Sequence, residues 1–270
     1  VSAIDTIVRL TPDDVLIGIL PFFHSFGYTV TMWSVLALNI KGAYHFNPLD
    51  PKQVGDLCRK HRGTVLLATP TFLRTYLRRC DVEQLQTVDV VVAGAEKLPL
   101  DLVEAFEKKF KVRPAEGYGT TELSPLVSVN VPASRSLGSD QVDRKEGTVG
   151  RTIPGVTAKV TDLDTGAVLP TNQPGMLWIT GPNVMKGYLH RTDLTNSAIK
   201  DGWYCTGDVA KIDEDGFITI TGRESRFSKI GGEMVPHVLV EETLNRIIAQ
   251  AAQEEEGLKA VVTSVADERK

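Results

Sequence analysis

At 270 residues, 42% apolar and 24% charged, the chain has the make-up of a globular protein long enough for one large domain or two smaller ones. Its 30 lysines and arginines against 34 aspartates and glutamates give a net charge of −4 with no basic run, which argues against nucleic acid as a partner. Cys58, Cys80 and Cys205 stand far apart without metal-ligand spacing and read as inert thiols suited to a reducing cytoplasm, and residues 1–9 lack the apolar segment of a secretory signal.

Residues 1–9 read as the end of a helix, Thr11-Pro12-Asp13-Asp14 as a turn, and residues 15–20 as a strand buried on both faces. The uncharged stretch from Val15 to Ile40 is long enough to cross a bilayer, but Pro21, His24, Ser25 and Gly27 interrupt it. It reads instead as a buried strand, a loop and a helix-like run from Phe26 to Leu38. The loop sets His24 among aromatic residues just past the carboxyl end of a strand, the edge where open α/β sheets bind ligands. A histidine satisfied inside the core fits the same letters.

Asp50-Pro51 is a helix start, with Val54, Leu57, Cys58 and His61 on one face. A strand follows at 65–68, and Thr69-Pro70 caps a helix that turns Phe72, Leu73, Tyr76 and Leu77 inward. Another strand, 88–93, ends in Gly94-Ala95-Glu96, and a helix over 100–110 packs Leu102, Val103, Phe106 and Phe110. This alternation predicts a mostly parallel sheet layered with helices.

The stretch Glu116-Gly117-Tyr118-Gly119-Thr120-Thr121-Glu122 then places an aromatic ring between glycines, followed by two hydroxyls and a carboxylate. Glycine on either side lets a flat ligand approach ring and backbone together. Thr120 and Thr121 can bond phosphate oxygens, and Glu122 is a hard oxygen ligand suited to Mg2+. A glycine-rich surface turn with a half-buried tyrosine is the competing reading. Residues 125–132 are extended, 134–146 are polar and loop-like, and 148–222 carry short strands and tight turns, such as 158–162, Asp164-Thr165-Gly166, 175–180 and the hairpin turn 213–216. That texture predicts a small β-barrel or β-sandwich. Past Gly222-Arg223, Pro236 opens a helix with Val240, Leu244, Ile247, Ile248 and Ala251 on one face; 254–256 is its solvated end and 260–265 the edge of another sheet.

The order of Gly117-Tyr118-Gly119-Thr120-Thr121-Glu122, Tyr204-Cys205-Thr206-Gly207-Asp208 and Gly222-Arg223 resembles the adenylate-forming enzymes: acyl-CoA synthetases, adenylation domains of peptide synthetases, and luciferases. The resemblance runs over nearly the whole chain. The wording of 117–132 and 226–235 is similar to the bacterial acyl-acyl carrier protein synthetase / 2-acylglycerophosphoethanolamine acyltransferase branch. It implies an α/β part over 1–135, a β-rich subdomain over 136–222, and over 223–270 a hinge and the beginning of a small α+β C-terminal lid domain.

The resemblance also implies roles. Gly94, Ala95 and Glu96 would lie against adenine, with Tyr118 stacked on it between Gly117 and Gly119. Thr120 and Thr121 would face the phosphates, and Glu122 would position Mg2+. Asp208 would hold the ribose hydroxyls and Arg223 the ribose or phosphate. His24 would line the acyl or thiol channel. Ser225 would be the hinge, in a Glu224-Ser225-Arg226 segment where the family usually has acidic or lysine residues. Lys229, Gly231, Gly232 and Glu233 would face a pantetheine arm. The implied cofactors are ATP/AMP and Mg2+, and the implied partners are a fatty acid and acyl carrier protein or CoA. Membrane association is expected only through parts outside this chain, such as a preceding acyltransferase domain.

The family's glycine-, serine- and threonine-rich phosphate loop has no counterpart among these residues, nor does GxxxxGK. Its lysine for the carboxylate–phosphate adduct is expected past Lys270. The chain is therefore expected to be a fragment that binds adenosine nucleotides weakly and does not complete adenylation alone. Two alternatives stand. An amino-acid adenylation domain would need an acidic anchor where Phe22 to Phe26 hold none. A nucleotide-binding regulatory protein would need no catalytic parts.

Overall fold

The computed structural model describes residues 1–138, 142–230, 233–251 and 260–263. A short helix, α1 (Ser2–Val8), leads into β1 (Val15–Gly18), all four residues of which are buried. The run expected as one helix from Phe26 begins as a π-helical stretch, Gly27–Trp33, in which the Ser34 N–H reaches back five residues to the Thr29 carbonyl; only then does α2 (Ser34–Leu38) follow. Next come β2 (Lys41–Tyr44), α3 (Pro51–His61), β3 (Val65–Ala68), α4 (Pro70–Arg79), β4 (Val90–Ala93) and α5 (Leu100–Phe110). The caps read from the sequence are in place: Asp50 Oδ1 accepts from the Gln53 N–H at 3.1 Å, and Thr69 Oγ1 from the Phe72 N–H at 3.3 Å.

β5 (Ala115–Gly119), β6 (Leu126–Val129) and β7 (Arg151–Thr152) complete a seven-stranded sheet in the order β2-β1-β3-β4-β5-β6-β7. The first five strands run parallel, and β6 and β7 are antiparallel additions. Alternate residues divide between its two faces. Val15, Ile17, Leu66, Ala68, Val91 and Ala93 meet Val54, Cys58, Leu73, Tyr76, Leu102 and Phe106 of α3, α4 and α5. Burial pushes the thiols on this face up, Cys58 to about 12 and Cys80 to about 11, which keeps them protonated and inert.

On the other face Leu16, Val65, Leu67, Val90 and Val92 share one core with Leu177, Ile179, Tyr204, Ala210 and Ile218. Those residues belong to a five-stranded antiparallel sheet: β8 (Thr157–Thr161), β9 (Gly175–Thr180), β10 (Ile199–Lys200), β11 (Trp203–Ile212) and β12 (Ile218–Arg223), with the short helix α6 (Thr192–Ala198) before β10. The β-rich part is thus welded to the α/β part by common apolar burial. Backbone bonds add to it: the Val149 N–H donates to the Ile218 carbonyl at 2.8 Å and the Ile218 N–H to the Gly150 carbonyl at 3.0 Å.

A third unit pairs β13 (Phe227–Ile230) with β14 (Glu233–Pro236) ahead of α7 (His237–Ala251). Pro236 closes the strand and does not open the helix. Leu244 and Ile247, expected on a packed face, are exposed. Residues 260–263 form no strand, and 254–256 and 264–265 lie outside the described residues. His61, expected on the inward face of α3, is likewise exposed, because the helix ends there with Arg62 in the left-handed region.

The polar stretch after 133 holds an anchor that its composition hides. Arg135 donates to the buried Asp14 at 2.7 Å and to Asp89 at 3.2 Å. Asp14 also accepts from the Thr11 N–H at 2.8 Å and the Thr64 hydroxyl at 2.7 Å. Among the described residues no helix is long and apolar enough to cross a membrane.

Candidate active site

Strand ends of the first sheet and strands of the second surround a cleft of about 440 Å³. His24, Ser25 and Phe26 reach it after β1, Gly94 and Ala95 after β4, and Gly117 to Glu122 from the end of β5; Tyr204, Thr206 and Arg223 close it from the β-rich side. The carboxyl ends of parallel strands are where such sheets leave room for a ligand. Val30, on the π-helical stretch, and Val92 make part of the wall apolar.

Tyr118 connects the two halves. Its hydroxyl donates to Asp208 Oδ2 at 2.5 Å, across 90 residues of chain, and Arg223 Nε donates to Asp208 Oδ1 at 2.9 Å. Asp208 is almost fully buried, while Arg223 is mostly exposed. Thr206 sets the carboxylate in place: its hydroxyl accepts from the Asp208 N–H at 3.0 Å and donates to the Leu177 carbonyl at 2.9 Å, where the β9–β11 register is irregular. Burial first, then the charge of Asp208, pushes the Tyr118 phenol far up, so it remains a donor.

Glu122 sits at the rim on the 3-10 turn Thr121–Leu123 and accepts from the Tyr188 hydroxyl through Oε1 at 2.9 Å. Tyr204 stands nearby, and burial followed by the charge of Glu122 raises its phenol too. Ser25 Oγ and Thr121 Oγ1 share a hydrogen bond at 3.2 Å. Thr120 Oγ1 is buried beside the Tyr204 hydroxyl yet makes no hydrogen bond of normal geometry. No group of three or more His, Cys, Asp or Glu able to hold a metal ion occurs among the described residues. A metal here would be held by Glu122 with ligand oxygens, the pattern Mg2+ takes beside phosphates.

Of the two glycines around Tyr118, Gly119 is required for a reason other than the one expected. A Cβ on Gly119 would lie 1.9 Å from the Pro125 carbonyl oxygen, so backbone packing and not ligand room excludes a side chain there. At Gly94, on the cleft wall, a Cβ would come no nearer than 3.3 Å to the Phe26 ring and 3.6 Å to the Gly117 carbonyl oxygen. Next to it Ala95 holds φ +70°, a left-handed conformation costing a non-glycine residue about 1–2 kcal/mol. The Glu116 carboxylate, raised by burial, pins this loop by accepting from the Leu98 N–H at 3.1 Å.

Of the other residues singled out in the sequence, Glu96 is not on the cleft wall: its carboxylate accepts from the Thr71 hydroxyl on α4 at 2.7 Å. His24 is exposed at the rim, its Nδ1 accepting from the Phe26 N–H at 3.2 Å, and so is not a histidine satisfied in the core. Ser225 lies in the 3-10 turn Glu224–Arg226, and Lys229 and Glu233 occupy the ribbon opposite Met234 and Ile230. Gly231 and Gly232 lie outside the described residues. Tyr188 and Asn183 went unnoticed in the sequence, since each is an isolated polar or aromatic residue with no spacing to mark it, and Ser25 was read only as an interruption of the uncharged stretch. Tyr204 and Thr206 stood inside a quoted motif without being assigned.

The strand ends of a mostly parallel sheet thus meet a β-rich unit over the phenols of Tyr118 and Tyr204 and the carboxylates of Glu122 and Asp208, the layout of an α/β protein with its ligand cleft at the carboxyl edge. The chain belongs to the AMP-binding enzyme family, whose model matches residues 1–189, and with it to the adenylate-forming superfamily. It is 30% identical over 233 residues to a long-chain-fatty-acid–CoA ligase of Bacillus subtilis, covering 85% of this chain and 40% of that one. It is 32% identical over 228 residues to 4-coumarate–CoA ligase 1 of Solanum tuberosum, covering 83% and 41%. ATP-bound MatB from Rhodopseudomonas palustris superimposes with a TM-score of 0.79 at 33% identity, over 90% of this chain and 47% of that one. The chain spans about two-fifths of the length of the curated relatives it matches.

Proposed function

We propose that this chain is the nucleotide-binding portion of an acid–thiol ligase that activates a fatty acid with ATP and passes it to a thiol. One carboxylate oxygen of the acid attacks the α-phosphorus, the bond to the β-phosphate oxygen breaks, and pyrophosphate leaves. The thiol then attacks the acyl carbon, and AMP leaves. The carboxylate is a weak nucleophile, so the site's task is alignment and neutralisation of phosphate charge.

In this reading Tyr118 carries the adenine on its ring face and Asp208 takes the ribose hydroxyls. Thr120, Thr121 and Gly94 to Ala95 border the phosphates and base, and Glu122 is the protein ligand for Mg2+, which supplies charge neutralisation when bound. Arg223 caps the ribose side, His24 stands at the acyl or thiol side, and Ser225 is the pivot of the third unit, with Lys229 and Glu233 on it. The uncharged, aromatic loop after β1 favours an acyl chain over an amino acid. The similarity of 117–132 and 226–235 to the acyl carrier protein synthetase branch favours acyl carrier protein as the acceptor, with CoA the alternative, and lysophospholipid reacylation as the use of the product; the three unpaired, widely spaced cysteines favour a cytoplasmic setting.

The observation that carries the proposal is the convergence of Tyr118, Thr120 and Glu122 on one cleft, with Asp208 bonded to Tyr118 at its wall. Calorimetric titration of the 270-residue chain with AMP tests it. Saturable one-to-one binding is expected in the millimolar range, about −4 kcal/mol, abolished by Asp208→Ala. No AMP formation from ATP and a fatty acid is expected from the chain alone. Absence of AMP binding refutes the reading.

A further inference from the structure

The turn that carries Glu122 is gripped from the β-rich side by the loop between β9 and α6. Asn183 Nδ2 donates to the carbonyls of Leu123 and Leu126, each at 3.0 Å. The Met185 N–H donates to the Glu122 carbonyl at 2.8 Å, and the Tyr188 hydroxyl donates to Glu122 Oε1 at 2.9 Å. Backbone and side chain of Glu122 are therefore held by the same six-residue span.

Tyr188 is itself fixed. Its N–H donates to Thr195 Oγ1 at 2.9 Å, and Gly187 lies so close to Thr195 that a Cβ would sit 2.8 Å from it. A glutamate has three rotatable side-chain bonds, and a carboxylate that swings freely must be ordered each time a cation arrives. A donor on one oxygen removes that freedom and leaves the second oxygen for the cation.

We propose that Tyr188 is a positioning residue for Glu122: its phenol fixes the rotation of the carboxylate so that the other oxygen faces the metal–phosphate position. The 183–188 loop carries this setting from one sheet to the other. The proposal rests on the nucleotide-binding reading above. Partners of metal-ligating side chains are worth about tenfold or more in metal affinity, which sets the size of the effect.

The test is Tyr188→Phe in the full chain, with the affinity for ATP measured in excess Mg2+ and again in EDTA, and the affinity for AMP measured alongside. The unaltered chain binds ATP more tightly with Mg2+. In Tyr188→Phe that preference falls about tenfold while AMP affinity stays within about twofold, and Glu122→Gln loses the preference entirely. An unchanged Mg2+ preference in Tyr188→Phe, with nucleotide binding intact, overturns the positioning role alone. Loss of AMP binding together with a lowered melting temperature assigns Tyr188 to folding and also overturns it. Failure of the unaltered chain to bind any nucleotide overturns the functional reading beneath it.

Discussion

Tyr118 offers two separable groups, a hydroxyl that holds a buried carboxylate and a ring on the cleft wall, and two substitutions pull them apart. Tyr118→Phe removes the donor to Asp208 Oδ2, leaving that carboxylate with Arg223 Nε at 2.9 Å and Thr206-directed backbone geometry. Hydrogen bonds to charged groups are worth about 1.5–3 kcal/mol. For a chain of this size that corresponds to a fall in Tm of roughly 3–12 °C. The ring persists, and an Asp208 oxygen is released for ribose, so AMP affinity should hold within about threefold. Tyr118→Ala loses the ring as well. Stacking on an aromatic side chain contributes about 1–3 kcal/mol per base, so AMP should bind about 5- to 150-fold more weakly than to Tyr118→Phe. Scanning calorimetry reads the first quantity and isothermal titration the second. Equal loss of AMP affinity in the two variants would refute the ring as the platform. An unchanged Tm in Tyr118→Phe would refute the Tyr118–Asp208 bond as a stabilising contact.

Gly119→Ala drives a methyl group into the Pro125 carbonyl at 1.9 Å, and backbone cannot yield as a side chain does; urea unfolding should show a loss of about 3 kcal/mol. The methyl of Gly94→Ala comes no nearer than 3.3 Å to the Phe26 ring and 3.6 Å to the Gly117 carbonyl oxygen, so the loss should stay below about 1 kcal/mol while AMP titration shows weakened binding, because position 94 lines the cleft. Asp14 gives a pH signature. Burial pushes its carboxyl up, but the Thr11 N–H, Thr64 and Arg135 outweigh burial and hold it below the ordinary 3.8. A carboxyl depressed on folding stabilises above its unfolded value and loses that contribution as pH falls through its folded value. Unfolding free energy should therefore drop from 3.8 downward, and Asp14→Asn should flatten that slope while costing about 2–3 kcal/mol at neutral pH.

What could be read in advance follows from how far each signal travels along the chain. The alternation of apolar strands with capped helices is local, and Asp50, Thr69 and the helix over 100–110 appear where their residues placed them. Local signals failed where a partner from elsewhere decided the outcome. Arg135 looked like loop polarity because Asp14, its partner, lies 121 residues away. The run after Phe26 opens at Gly27, where a Cβ would sit 2.1 Å from the Pro21 carbonyl oxygen, and its first seven residues are π-helical, a distinction that apolar spacing does not carry. The Gly-Tyr-Gly pattern suggested ligand room on both sides, whereas Gly119 answers to the backbone of Pro125.

The same distinction explains which members of the site were legible. Tyr118, Glu122 and Asp208 sit in dense clusters of glycine, hydroxyl and acid, and it is the cluster that marks them in the letters. Tyr188 and Asn183 are single residues, each bonding to the Glu122 turn and its surroundings, and no cluster forms around them in the sequence. Their work is visible only when β9, α6 and the 3-10 turn Thr121–Leu123 are seen together. A cleft assembled between two sheets therefore separates into residues whose motifs mark them in the letters and residues that hold the first set in register, which carry no such mark. The shared core of Leu16, Val65 and Val92 with Leu177, Ile179 and Ile218 makes that register rigid. A 2.9 Å contact from Tyr188 can then set the direction in which Glu122 presents its charge.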